Sequence, residues 1–126
     1  MANQRILIIE NDEDTLFLLG HALRKSGYTV ETCTAGSGLV EFKHKLPDLF
    51  ILDKDLPTID GLAITKFLRL QEATRSTPII MISAHQIRQK AKRTGINELV
   101  IKPFQVNHLL KIIKKYTHTA SEEIEA

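Results

Sequence analysis

The chain has 126 residues, enough for one domain with a buried core, and its 43% hydrophobic and 25% charged residues are ordinary for a globular protein. The formal net charge of +2 conceals an asymmetry, because residues 1–60 have 6 Lys or Arg against 10 Asp or Glu, and residues 61–126 have 11 against 5. No apolar run approaches the roughly 20 residues of a membrane span, and residues 1–5 do not resemble a signal peptide. We therefore expect a cytoplasmic protein that does not associate with membranes.

The first half of the chain alternates strand and helix patterns. An apolar run over residues 5–10 predicts a buried strand, and the polar residues that follow are good helix starters. Leucines at helical spacing then predict a first helix that stops at residues 25–27, a basic turn with a glycine. Residues 28–33 alternate as a second strand, and the apolar spacing over 39–46 predicts a second helix that Pro47 ends.

The second half continues the alternation. Residues 49–53 form an apolar run that is typical of a buried parallel strand. Pro57 and Gly61 mark a loop after it, and we expect Gly61 to adopt backbone angles that other residues avoid. Later elements are a third helix whose apolar face holds Ile64, Phe67, Leu68 and Gln71, a strand over 79–82, a short basic helix over 86–94, a strand over 98–101 and a closing helix over 106–116.

Ten elements in strict alternation predict an α/β fold with five parallel strands and helices on both faces of the sheet. We place this single domain at residues 1–117. Residues 118–126 lack periodicity, so we expect a flexible tail there.

Polar side chains end four of the five predicted strands. They are Glu10 and Asn11 after the first strand, Asp53 after the third, Ser83 after the fourth and Lys102 after the fifth. Because the C-terminal ends of parallel strands share one edge of the sheet, these groups should converge there. Carboxylate and amide oxygens suit Mg²⁺, whereas Ser83 and Lys102 can bind phosphoryl oxygens. We therefore interpret Asp53 as a nucleophile that forms an acyl phosphate.

With these residues, the chain resembles the receiver domain of two-component response regulators. The resemblance covers about residues 4–117 and depends on four segments in the family's order and spacing: ILIIEND, LFILDKDLPTIDG, IIMISAH and VIKPF. It implies a doubly wound, flavodoxin-like sheet with strand order 2-1-3-4-5.

The resemblance also implies a role for each polar residue. Asp53 corresponds to the phosphoacceptor, Lys102 to the lysine that contacts the phosphoryl group, and Ser83 to the switch hydroxyl. Glu10 and Asn11 take the positions of the family's acidic pair, and the main-chain carbonyl of Asp55 is a further ligand for Mg²⁺.

Three positions depart from the family's pattern. Asn11 stands where the second acid usually lies, and that acid normally binds the metal directly. Leu99 replaces the Tyr or Phe that is common three residues before the lysine, and Lys54 places a cation directly after the phosphoacceptor.

Two alternatives stay open at this point. One is a receiver-like interaction module that is not phosphorylated, which Asn11 suggests. The other is a haloacid-dehalogenase-like phosphatase, because Asp53-Lys54-Asp55 resembles its DxD motif, with Asp53 as nucleophile and Asp55 as general acid and base. That motif normally follows the first strand of a longer chain and requires a later acidic pair for Mg²⁺, and after Lys102 the chain has no such pair before its tail.

We expect a stand-alone signalling domain, and not an enzyme, that receives its phosphoryl group from a histidine kinase or a histidine phosphotransfer protein. Residues 85–115 contain eight Lys or Arg and one acid. In receivers the fourth helix, fifth strand and fifth helix commonly form the partner surface, so the resemblance predicts an acidic protein partner there. No aromatic residue interleaves the basic helix, which argues against direct DNA binding.

Overall fold

The computed structural model describes residues 4–34 and 46–117. In chain order these residues form β1 (Arg5–Ile9), α1 (Glu13–Lys25), β2 (Thr29–Cys33), β3 (Leu49–Asp53), α2 (Gly61–Leu70), β4 (Ile79–Ser83), α3 (Arg88–Thr94), β5 (Glu98–Ile101) and α4 (Val106–Lys114). The predicted second helix and the tail over 118–126 lie outside the described residues. The third, fourth and fifth predicted helices are therefore α2, α3 and α4.

The five strands form one parallel sheet in the order β2-β1-β3-β4-β5, which confirms the predicted fold class and strand order. β3 lies at the centre, and all five of its residues are buried. The sheet is buried on both sides because helices cover both faces, which explains why β3 and β4 are continuous apolar runs and do not alternate.

The core has two parts, one on each face of the sheet. One part packs alternate strand residues such as Ile8 and Ile51 against α1 and α4. The other packs the intervening residues, such as Ile9 and Leu52, against α2 and α3. Since successive side chains of a strand point to opposite faces, Asp53 follows Ile51 on the α1 and α4 side of the sheet.

The helix boundaries follow capping chemistry. α1 begins after Asp12, whose carboxylate accepts a hydrogen bond from the Thr15 amide at 2.9 Å, and Gly27 after the helix has a φ of 100°. α3 begins at residue 88, two residues later than predicted, and Ile87 at its N-cap offers no capping oxygen. α4 ends at residue 114, two residues earlier than predicted.

The predicted apolar face of α2 was wrong in two positions. Phe67 is 40% exposed, and Gln71 is the residue that ends the helix. The buried side of α2 instead consists of Leu62, Ile64, Thr65 and Leu68, together with Gly61. An α-helix rotates by 100° per residue. Ile64 and Leu68 lie near the centre of the helix face that packs on the sheet, and Phe67 lies at the margin of that face.

Candidate active site

Three predicted site residues meet at the C-terminal edge of the sheet. Asp53 ends β3, and Glu10 directly follows β1, where Ile9 lies beside Leu52 of β3. Lys102 follows β5 and extends its ammonium between the two carboxyl groups. Its Nζ lies 3.1 Å from Asp53 Oδ2 and 3.7 Å from Glu10 Oε1.

The two carboxyl groups differ in their tendency to ionise. Burial, followed by the neighbouring Asp53 carboxylate, raises the pKa of Glu10 to about 8, which outweighs the opposite effect of Lys102. Burial would also raise the pKa of Asp53, but its contacts with Glu10, the Asp55 amide and the Lys102 ammonium lower it below the usual range. Near neutral pH, Glu10 therefore favours its neutral form while the Asp53 carboxylate is ionised.

The charge of Lys102 is maintained by the same contacts. Burial alone would lower its pKa, but the hydrogen bond to Asp53 and the negative charge of that carboxylate raise it. The lysine thus stays cationic next to the carboxylate of Asp53.

An open cleft of about 710 Å³ gives access to these groups. It is lined by Glu10, Asn11, Asp12, Glu13, Asp14, Thr34, Asp53, Asp55, Pro57 and Lys102. Asn11 is exposed on the wall of this cleft. The backbone amide of Asp55 donates a hydrogen bond to Asp53 Oδ1 at 2.9 Å, so each oxygen of Asp53 has one donor.

Ser83 lies apart from this group. It is fully buried at the end of β4, where its hydroxyl donates a hydrogen bond to the His85 carbonyl and accepts one from the His85 amide, both at 3.0 Å. Its strand neighbour is Ile101, and it does not line the cleft. The predicted phosphoryl contact of Ser83 would require the hydroxyl to leave these partners.

Ion pairs and a hydrogen bond hold the loop after β3 close to Asp53. Lys54 Nζ lies 3.1 Å from Asp60 Oδ2, and the Asp60 carboxylate also caps α2 by accepting a hydrogen bond from Leu62 at 2.8 Å. Lys54 thus pairs with Asp60 and also lies 3.5 Å from Asp55 Oδ1.

Gly61 is required here for a reason that we did not predict. Among the described glycines only Gly27 and Gly95 have a positive φ. A Cβ on Gly61 would instead lie 2.6 Å from the Asp53 carbonyl oxygen and 2.7 Å from the Lys54 Cα. Gly61 therefore permits a close backbone approach, which places the start of α2 directly against the end of β3.

Our sequence reasoning gave no site role to Thr34, which lines the cleft just after β2. The rule that groups strand C-termini at one edge of the sheet could have identified it. The sequence predicts that the acidic residues 12–14 mainly stabilise the start of a helix. Asp12 confirms this as the cap of α1, yet all three also line the acidic wall of the cleft.

One feature of the cleft favours the binding of a small, hard cation. Both carboxyl oxygens of Glu10 are buried and receive no hydrogen bond from any described residue. A cation would supply the missing partner, and oxygen ligands are what Mg²⁺ prefers. Within residues 4–34 and 46–117, no group of three or more His, Cys, Asp or Glu side chains is arranged to hold a metal ion. Mg²⁺ usually needs only one or two carboxylates from the protein, with waters and phosphate oxygens completing its shell.

The sheet order and the acidic cleft at its C-terminal edge define a doubly wound, flavodoxin-like α/β protein of the CheY type. Residues 6–114 match the family model of the response regulator receiver domain. The chain belongs to this family, as its motifs predicted.

Three known proteins illustrate the relationship. The chain is 32% identical to the phosphate regulon transcriptional regulatory protein PhoB of Rhizobium meliloti over 95% of its own length, and it spans 55% of that protein. It superposes on the chemotaxis response regulator CheY4 of Vibrio cholerae with a TM-score of 0.84 at 26% identity, covering 91% of this chain and 99% of CheY4. The receiver domain of the sensor histidine kinase PA1611 from Pseudomonas aeruginosa, which has a magnesium ion coordinated in its active site cleft, gives 0.78 at 28% identity, with 91% and 98% coverage.

The family assignment favours the receiver interpretation over a phosphatase. Among the described residues, no helix is long and apolar enough to span a bilayer.

Proposed function

We propose that Asp53 accepts a phosphoryl group from a phosphohistidine of a histidine kinase or a histidine phosphotransfer protein. The observation that carries this proposal is the Asp53 carboxylate itself, which is ionised, held by Lys102 at 3.1 Å and accessible from an open cleft. An oxygen of Asp53 forms a bond to phosphorus while the bond from phosphorus to the donor's imidazole nitrogen breaks, and the nitrogen keeps the electron pair. The product is an acyl phosphate on Asp53.

Lys102 and Ser83 have separate roles in this proposal. Lys102 is already in place, and its ammonium neutralises charge on the phosphoryl oxygens. Ser83 is bonded to the backbone of His85 before transfer. Exchange of those bonds for one to the phosphoryl group would move residues 84–85, which provides a structural signal even though Leu99 replaces the family's aromatic residue.

Glu10, Asn11, Asp53 and the main-chain carbonyl of Asp55 are the groups that would hold Mg²⁺. The unpartnered buried oxygens of Glu10 support this set, as does the magnesium reported in the PA1611 receiver. When bound, the ion supplies positive charge that offsets the negative charge of the transferring phosphoryl group. Asn11 contributes a neutral amide, so the site has one anionic ligand fewer than a receiver with two acids there.

The exposed side of α1 is suited to the phosphodonor. Phe17 and Leu18 are 78% and 52% exposed, and they lie one turn along the helix from Glu13 and Asp14 on the cleft wall. Adjacent exposed apolar side chains are typical of protein interfaces. A donor that packs on them would place its histidine at the mouth of the cleft.

Phosphorylation can be tested by incubating the chain with acetyl phosphate and Mg²⁺ and measuring the intact mass. We expect one added phosphoryl group, which Asp53→Asn removes and the matched variant Asp55→Asn retains. Hydrolysis of a phosphate monoester by the wild type that both Asp53→Asn and Asp55→Asn abolish would support the phosphatase, in which Asp55 is the general acid and base. No adduct in any variant, with either acetyl phosphate or a phosphorylated histidine phosphotransfer protein, would support an interaction module that is not phosphorylated.

A further inference from the structure

The basic residues of α3 do not share one surface. Lys92 Nζ donates a hydrogen bond to the Asn97 carbonyl at 2.6 Å, which holds this side chain toward β5. Lys90 and Arg93 instead line a groove between α2 and α3, with a volume of about 510 Å³. Lys102, which we counted in the basic partner surface, lies in the active site. The predicted surface of α3, β5 and α4 is therefore less basic than the sequence suggested.

The groove between α2 and α3 concentrates positive charge. Lys66 of α2 joins Lys90 and Arg93 in its lining, and none of the three side chains donates a hydrogen bond to another described residue. The groove also contains Asp60, but that carboxylate is paired with Lys54 at 3.1 Å. Three exposed cations thus lie in a concave surface whose only acid among the described lining residues is already neutralised.

Apolar surface accompanies this charge. Ala63 of α2 is exposed and lines the groove together with the cations. Farther along the same helix, Phe67 is 40% exposed and Leu70 is 83% exposed. Ala63, Phe67 and Leu70 are spaced by four and three residues, so they follow one side of α2. An occupant of this surface needs apolar side chains as well as negative charge.

We propose that the groove between α2 and α3 binds an acidic, amphipathic segment of a partner protein. Carboxylates of this segment pair with Lys66, Lys90 and Arg93, and its apolar side chains cover Ala63, Phe67 and Leu70. A nucleic acid would satisfy the cations but would leave the exposed apolar side chains of α2 uncovered. This inference rests on the proposed function only in treating the partner as the recipient of the signal.

The groove is joined to the phosphoacceptor by a short chain of contacts. Asp53 Oδ1 accepts from the Asp55 amide, Asp55 and Asp60 form a β-bridge, and Asp60 both caps α2 and lines the groove. A displacement of the loop over residues 54–60 on phosphorylation therefore changes the position of a groove residue.

The test is peptide binding to the unphosphorylated chain, so that it does not depend on phosphoryl transfer. The probe is a fluorescein-labelled synthetic peptide of ten residues with six Glu and three Leu at helical spacing. Two reference peptides replace Glu by Gln or Leu by Ser. Lys90→Glu with Arg93→Glu is the groove variant, and Lys111→Glu with Lys114→Glu on α4 is a control with the same change in net charge.

We expect the groove variant to weaken binding of the probe at least tenfold and the α4 control to change it less than twofold, as measured by anisotropy. Both reference peptides should bind more weakly than the probe, and amide shifts in nuclear magnetic resonance spectra should map to α2 and α3. Equal weakening in both variants, shifts centred on α4, no saturable binding at millimolar peptide, or tighter binding of a single-stranded oligonucleotide at the groove would each overturn the proposal. Circular dichroism and urea unfolding confirm that both variants are folded.

Discussion

Glu10 is only 2% exposed. Neither oxygen of its carboxyl group receives a hydrogen bond from the described part of the chain. Buried polar atoms without partners cost free energy, and native proteins contain few of them. The neutral form reduces this cost, which explains the raised pKa. The residue is therefore a local source of instability that a cation can relieve.

The pH dependence of stability should show this effect. The folded-state pKa of Glu10 is about 8 and its ordinary value is 4.5, so the folded chain binds this proton more tightly than the unfolded chain. The contribution of this proton to the free energy of unfolding is fully present below pH 4.5 and is lost as the pH rises through 8. The change is on the order of a few kcal/mol. In urea denaturation with chelator, the free energy of unfolding of the wild type should fall over this pH range. The free energy of unfolding of Glu10→Gln should change much less over the same range.

Glu13→Gln provides the matched control, because Glu13 is exposed on the wall of the same cleft. The free energy of unfolding of this variant should depend on pH as that of the wild type does. A slope in Glu10→Gln equal to that of the wild type would show that another group is responsible.

Asn11 gives a second prediction about single residues. Replacement of Asn11 by Asp adds a carboxylate to the wall of the cleft, so we expect Mg²⁺ to bind roughly tenfold more tightly, since charge on the ligands dominates its affinity. In chelator, the variant should melt at a lower temperature because like charges are brought together. Calorimetric Mg²⁺ titration and thermal melts measure both effects, and an unchanged Mg²⁺ affinity would exclude Asn11 as a ligand.

Among the secondary structure elements, the end of α2 is tied to α3 and β5 by one side chain. The Arg69 guanidinium donates hydrogen bonds to the carbonyls of Gly95, Thr74 and Thr77 and to Asn97 Oδ1, at 2.7 to 3.2 Å. Asn97 in turn accepts from the Ile79 amide at the start of β4. This cluster closes the edge of the sheet opposite the active site and holds four backbone segments together.

Arg69→Met should destabilise the fold by about 2–4 kcal/mol, because it leaves several buried or half-buried acceptors without a donor while keeping the apolar part of the side chain. Arg75→Met is the control, since Arg75 is exposed and its side chain donates no hydrogen bond to another described residue. It should change the free energy of unfolding by less than about 0.5 kcal/mol. Similar losses in the two variants would mean that the Arg69 bonds contribute little.

At the scale of the whole molecule, a buried hydrogen bond links Thr117, which follows α4, to Tyr28, which precedes β2. The hydroxyl groups of Tyr28 and Thr117 are 2.6 Å apart, although 89 positions separate the residues in the chain. The Thr117 hydroxyl also contacts the Ile113 carbonyl at 2.9 Å, which secures the end of α4 against the core beside α1.

Thr117→Val preserves the shape of this side chain and removes both hydrogen bonds. We expect a loss of about 1–2 kcal/mol in the free energy of unfolding. Because α4 contributes to the core shared with α1 and all five strands, urea transitions followed by circular dichroism and by tyrosine fluorescence should shift together. Thr29→Val, at an exposed strand position, is the control, and separate transitions for the two probes would show that α4 unfolds independently.

Much of this molecule is determined by its sequence alone. The apolar runs of β3 and β5 predict the observed boundaries of both strands, and the alternation of patterns predicts the parallel sheet. The position of Asp53 at the edge of the sheet follows from the same reasoning. These predictions succeed because hydrophobic periodicity, capping oxygens and glycine stops act over a few residues, and their physical effects are local.

Other properties depend on which distant groups are brought together, and only the tertiary structure decided them. The neutral state of Glu10 requires burial next to Asp53, and the division of the α3 cations between two surfaces requires β5 on one side and α2 on the other. The need for glycine at position 61 arises from the proximity of another backbone segment and not from its own φ. Desolvation and Coulomb energies depend on distances in space, and the sequence specifies those distances only through the completed fold.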